Sequence, residues 1–258
     1  MNKINRLFSE RGERKLLSLY FCAGCPRVDM TADVILTLQN HGIDMIEVGI
    51  PFSDPLADGP VIQSAGTVAL KNGMTLSTIF SQLKAIKEQV NIPLVLMGYL
   101  NVVMHYGYER FCQSCVESGV AGFIIPDLPF DDYLREIKPL ADRYDLRCIM
   151  MITPETTEER IRFIDEHTDG FIYMVSSASI TGAQQSFDNA KQAYFRRIND
   201  MHLRNPRMIG FGISNRQTLQ SAQQNAAGAI IGSKFVSLLQ TTQTPKEAME
   251  QLLDDLKK

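Results

Sequence analysis

Residues 46–60 read IEVGIPFSDPLADGP, an apolar strand holding one glutamate that runs into a loop with two more acids and three prolines. Glu47 is the residue that demands an account, because a charge inside an apolar run is costly to bury unless it is paired or neutralised. Alternation along a strand sets Ile46 and Val48 on the face opposite Glu47. If those two pack against outer helices, Glu47 points into the interior of a closed sheet.

Apolar runs of the same kind recur along the chain. They are LLSLYF (16–21), DMIEVG (44–49), PLVLMG (93–98), AGFIIP (121–126), RCIMMI (147–152), GFIYMV (170–175), RMIGFG (207–212) and GAIIG (228–232). Between them lie amphipathic stretches such as TADVILTLQNHG (31–42) and YERFCQSCVESG (108–119), several closed by glycine. Strands alternating with helices build a parallel sheet, and eight such units predict an α/β fold, a single (β/α)8 TIM barrel. The segment 59–90 is long enough for an extra helix between strands two and three, and INRLFSERGERK (4–15) predicts an extra N-terminal helix covering the barrel's bottom. No proline- or Gly/Ser-rich linker divides the chain, so one domain over 1–258 is expected. An open doubly wound sheet usually announces itself with GxGxxG after its first strand, and FCAGCP (21–26) does not match.

Composition narrows the partners. The 258 residues are 45% hydrophobic and carry a net charge of −3 with both signs intermixed, so there is no basic stripe to follow a nucleic-acid backbone. No apolar run reaches the roughly 18 residues of a membrane span and the N-terminus lacks an apolar h-region, which points to a cytoplasmic protein. Five cysteines include the pairs Cys22/Cys25 and Cys112/Cys115. CxxC spacing can mark zinc or redox chemistry, but neither pair has a zinc-ribbon context, and no metal is expected.

In such a barrel the active site lies at the C-terminal ends of the strands. That rule selects Glu47, Asp54 and Asp58 after strand two, Asp127 after strand four, Tyr173 on strand six, and Gly212, Gly232 and Ser233 after strands seven and eight. A carboxyl inside a barrel is desolvated and its pKa rises into a range useful for acid/base work, a role that fits Glu47. The proline-stiffened loop holds Asp58 over the same opening, although an Asp before Gly is also a plain turn signal. Asp54 is the more exposed acid. The glycines of GFGISN (210–215), IGSKF (231–235) and SITGA (179–183) leave backbone N–H groups free to converge on a phosphate. The polar stretch 176–187 reads as a lid, and no lysine stands at a strand end in a position that suggests an imine.

The blocks EVGIPFSDPLADGPVIQSA (47–65), PLVLMGYLNVV (93–103), FIIPDLP (123–129), FIYMVSSASITGA (171–183), GFGIS (210–214) and IGS (231–233), in that order, resemble the tryptophan synthase alpha chain family. The resemblance implies a lyase that splits indole-3-glycerol phosphate into indole and glyceraldehyde 3-phosphate. It implies Glu47 as the general acid/base that protonates the indole ring carbon, Asp58 as the carboxylate that stabilises the positive indole nitrogen and accepts its proton, and Tyr173 near the same acid. It places Gly182, Gly212, Gly232 and Ser233 at the phosphate, and Phe21, Ile62, Tyr99, Ile124 and Phe211 around the indole. Thr181 falls in the lid and Asp54 in the loop that meets a beta chain, the partner expected in an alpha2-beta2 heterotetramer. No cofactor is implied for this chain, pyridoxal phosphate being expected in the beta chain. The sequence departs from the family in AGCP (23–26), where Cys25 replaces the usual aspartate, and in the lid SSASITG (176–182). A stand-alone barrel acting on another phosphorylated aromatic or sugar is the competing enzymatic reading.

Overall fold

The computed structural model describes residues 1–175 and 189–257. Eight parallel strands, β1 (Leu16–Cys22), β2 (Met45–Gly49), β3 (Leu94–Met97), β4 (Val120–Ile124), β5 (Arg147–Ile152), β6 (Ile172–Val175), β7 (Arg207–Gly210) and β8 (Gly228–Ile231), pair in sequence order, and β8 closes on β1. The TIM barrel expected from the sequence is therefore present. Helices α1 (Lys3–Glu10) and α2 (Thr31–Asn40) flank β1 in the chain, and α3 (Pro60–Lys71) and α4 (Leu76–Ile86) both lie between β2 and β3. Then follow α5 (Leu100–Tyr106), α6 (Tyr108–Glu117), α7 (Phe130–Asp132), α8 (Lys138–Arg143), α9 (Glu158–His167), α10 (Asn189–Asp200), α11 (Arg216–Asn225), α12 (Ser233–Thr241) and α13 (Pro245–Lys257). No described helix is long and apolar enough to cross a membrane.

The chain marks its own helix starts. Pro60 stands at the first position of α3, where its missing N–H costs nothing. Thr75 and Thr157 accept hydrogen bonds from the N–H of Thr78 and Arg160, and Asn215 with Thr218 forms a reciprocal capping box.

Strand alternation sorts side chains into two cores. Ile46 and Val48 pack outward with the helices, whereas Leu16, Met45, Val95, Ile149, Met208 and Ile230 fill the barrel's interior. From below, α1 seals that interior. Asn2 donates from Nδ2 to Ala121 O at 2.8 Å and Asp145 O at 2.6 Å, and Ile4 is fully buried. A Cβ on Gly122 would lie 2.9 Å from Ile4 Cδ1, so the glycine makes room for the plug.

Candidate active site

The upper end of the barrel opens into a cavity lined by Tyr20, Glu47, Asp58, Ile62, Met97 and Tyr173. Phe211, Gly212, Ile213, Ser214, Ile230, Gly232, Ser233 and Lys234 complete its wall. Glu47 is 0% exposed and neither carboxyl oxygen has a hydrogen-bond partner. Burial pushes its pKa up to about 8, and the nearby Ser18 hydroxyl, which favours the charged form, offsets only part of the rise. A buried acid with both oxygens unpartnered is expensive unless it stays protonated. At neutral pH this group holds a proton that it can give away.

Asp58 has different surroundings. It sits on the loop after β2, and the Tyr99 hydroxyl donates to its Oδ2 at 3.0 Å while accepting from Ala57 N at 3.0 Å. Burial raises the Asp58 pKa, and the Tyr99 hydrogen bond, which favours the charged form, works against that rise. Tyr99 itself stacks on Phe52 with ring centroids 5.1 Å apart. The barrel thus presents one carboxyl without partners and one held by a hydroxyl, and such a difference lets two acids take different roles.

Two tyrosines wall the cavity, each leaning over a glycine on the next strand. A Cβ on Gly49 would lie 2.2 Å from the Tyr20 hydroxyl, and one on Gly210 would lie 2.2 Å from the Tyr173 hydroxyl. Tyr173 meets Phe211 edge-on at 5.9 Å. Phe211 and Gly212 both take left-handed backbone, φ +68° and +79°, a conformation that is unusual for phenylalanine. Replacing Gly49 or Gly210 by alanine drives a methyl into a packed ring, so each variant is expected to lose about 1–3 kcal/mol of stability. Urea unfolding measures this, and an unchanged midpoint with unchanged slope would mean the rings move aside freely.

After β8, Gly232 caps α12 without a side-chain hydrogen bond. The first helical N–H groups therefore face the cavity end without intrahelical acceptors, beside Gly212, Ser214 and Ser233. Such an arrangement of free amides is able to hold a small anion.

The structure brings together Glu47, Asp58, Tyr173, Ile62, Phe211, Gly212, Gly232 and Ser233, with Tyr99 joined through Asp58. Two expected indole contacts stand elsewhere. Phe21 packs in the outer core, because alternation gives the inward position to Tyr20, which pairs in register with Glu47. Ile124 faces inward, yet it is 1% exposed within the interior packing and is not part of the cavity wall. Asp54 is exposed, accepts from the Ser53 hydroxyl, and stays outside the cavity. Asp127 accepts from Leu100 N at 2.9 Å, a loop-holding contact. Thr181, Gly182 and the rest of the expected lid lie outside the described residues.

Sequence reasoning missed Tyr20 and Lys234. A lysine does stand at the β8 end, and its ammonium pairs with Asp255 Oδ2 at 2.6 Å. The cysteines are buried structural residues. Burial pushes the Cys112 thiol up to about 12, and Cys25 is 5% exposed with Sγ accepting from Gln240 Nε2 at 3.6 Å.

A family model described as tryptophan synthase alpha chain matches residues 8–258. A protein of that name from Phocaeicola vulgatus is 63% identical over 258 residues, covering 100% of both chains. Another from Parabacteroides distasonis is 60% identical over 257 residues, again covering 100% of both. Among solved structures, a tryptophan synthase alpha chain from Legionella pneumophila superposes with a TM-score of 0.85 at 29% identity, covering 98% of each chain. A tryptophan synthase structure from Mycobacterium tuberculosis gives 0.86 at 30% identity, over 98% of this chain and 96% of that one. With the barrel, its paired acids and these likenesses in agreement, the chain belongs to the tryptophan synthase alpha chain family.

Proposed function

We propose that this chain cleaves indole-3-glycerol phosphate by a retro-aldol reaction, giving indole and glyceraldehyde 3-phosphate. The observation that carries the reading is Glu47, fully buried with neither carboxyl oxygen hydrogen-bonded and its pKa pushed up to about 8 by burial, lining the same cavity as Asp58. Glu47 gives its proton to C3 of the indole ring, which makes the ring an electrophilic iminium. Asp58, held by Tyr99, accepts a hydrogen bond from the ring N–H and offsets the positive charge. The Glu47 carboxylate then takes the proton of the hydroxyl on the side-chain carbon bonded to C3. That carbon becomes the aldehyde, the carbon–carbon bond breaks, and its electron pair returns to the ring nitrogen. Glu47 ends protonated as it began, and two carboxyl groups suffice for both transfers. The phosphate lies against Gly212, Gly232 and Ser233, the amide-lined end of the cavity.

The family supports a beta-chain partner that receives the indole. On the loop after β2, exposed Asp54 is followed closely by Leu56, 87% exposed, and Met104 on α5 is 56% exposed. Large apolar side chains left in water at a barrel mouth suit a protein contact.

Indole release from indole-3-glycerol phosphate by the purified chain, with and without a beta chain, tests the reading. With Glu47 required as the acid, kcat/KM is expected to fall as pH rises through about 8, and with Asp58 required as the anion it falls again on the acid side. Turnover no better than with unrelated phosphate esters, or an alkaline limb absent near pH 8, would remove the assignment.

A further inference from the structure

Lys234 is the one basic side chain on the cavity wall among the described residues. It occupies the second position of α12, whose first turn carries no acid. A cation there opposes the helix dipole. Its ammonium pairs with Asp255 on α13, and the two side chains are 29% and 30% exposed.

We propose that Lys234 supplies the side-chain charge that holds the substrate's phosphate, leaving Asp255 for the phosphate when substrate binds, and that Asp255 acts as a positioning residue setting how easily it leaves. The inference rests on the reading above, in which this cavity takes a phosphate ester. A phosphate monoester carries about −1.5 to −2 charges at neutral pH, whereas a helix N-terminus offers roughly +0.5. The backbone cradle alone leaves most of that charge uncompensated, in a cavity that also contains Asp58. Lysine is a compact charge on a flexible stem, so its ammonium can turn from one anion to another. A partly exposed ion pair holds it weakly, which makes the exchange easy. Because α12 packs against α13, occupancy of the phosphate end is felt by the C-terminal helix.

The full chain and its Lys234→Met, Lys234→Arg and Asp255→Asn variants are compared, with inorganic phosphate as the probe, read by calorimetry and by competition with indole-3-glycerol phosphate. Lys234→Met is expected to weaken phosphate about tenfold, the scale of one charge-assisted hydrogen bond, and to raise KM with little change in kcat. Lys234→Arg restores most of the affinity. Asp255→Asn, which removes the competing anion, tightens phosphate severalfold, while binding of uncharged indole stays the same in all three. If the pair only anchors α13, Lys234→Met and Asp255→Asn lower the melting temperature alike and leave phosphate affinity at the parent value, which overturns the proposal. A parent chain that neither binds phosphate nor releases indole overturns the cavity's reading and this inference together. A parent that does both, beside a Lys234→Met variant of parent affinity, sinks the lysine's role alone.

Discussion

Glu47→Gln is expected to abolish indole release almost completely, lowering kcat by about three orders of magnitude or more, because in the proposed mechanism one group makes both proton transfers and each such transfer contributes about 10²–10⁴-fold. The glutamine keeps the shape of the side chain and can neither donate a proton to the ring carbon nor take one from the hydroxyl. A second readout shows that the loss is chemical. In the folded chain the Glu47 pKa is raised from 4.5 to about 8, so the native state holds this proton more tightly than the unfolded chain does. Stability from this group is therefore intact below 4.5 and drains away as pH rises towards 8. Glutamine has no such dependence. Between pH 4.5 and 9 the variant should gain on its parent by about 3–5 kcal/mol, seen as denaturation midpoints that diverge with pH. Near-normal turnover in Glu47→Gln would take Glu47 out of the mechanism, and parallel midpoints would mean that its burial imposes no charge penalty.

Much of this was legible in the sequence because burial leaves a pattern. The eight apolar runs gave every strand to within a few residues, since parallel strands covered on both faces must be apolar throughout. Glu47 stood out for the same reason. That uniformity is also what hid Tyr20. In LLSLYFC almost every residue suits an apolar surface, so period-two alternation has nothing polar to lock onto and Phe21 reads as well as its neighbour. The register that settles it, Tyr20 beside Glu47, is a property of the paired strands. Ile124 faces inward as expected but is packed among the interior side chains and forms no part of the cavity wall, and which inward residues pack against one another is not written in alternation. Lys234 was passed over because the acid that holds it, Asp255, comes from the last helix and meets it only once the barrel has closed. The sequence names Tyr99 as an indole contact, but its hydrogen bond to Asp58 from the end of β3 is again made through space. The residues that act alone could be found from the chain, and those defined by a partner needed the fold.

Asp58→Asn is the second large effect. Protonating the ring carbon puts a full positive charge on the indole nitrogen, and a carboxylate already in place lowers the barrier because nothing has to reorganise when that charge forms. Removing one such preorganised group typically costs about 2.7–4 kcal/mol of barrier, or roughly 10²–10³ in kcat. The amide oxygen of asparagine still accepts the N–H hydrogen bond, so substrate stays in place and KM should change little. Tyr99→Phe separates charge from geometry. It leaves the carboxylate but deletes the hydroxyl that donates to Oδ2 at 3.0 Å, and with it the contact that opposes the burial-driven rise of the Asp58 pKa. Its activity should stay well above that of Asp58→Asn at high pH, with the acid limb of kcat/KM displaced upward. An Asp58→Asn chain that loses affinity while keeping kcat would make Asp58 a binding residue. A Tyr99→Phe profile lying on the parent's would show that the hydroxyl only shapes the loop through Ala57 N.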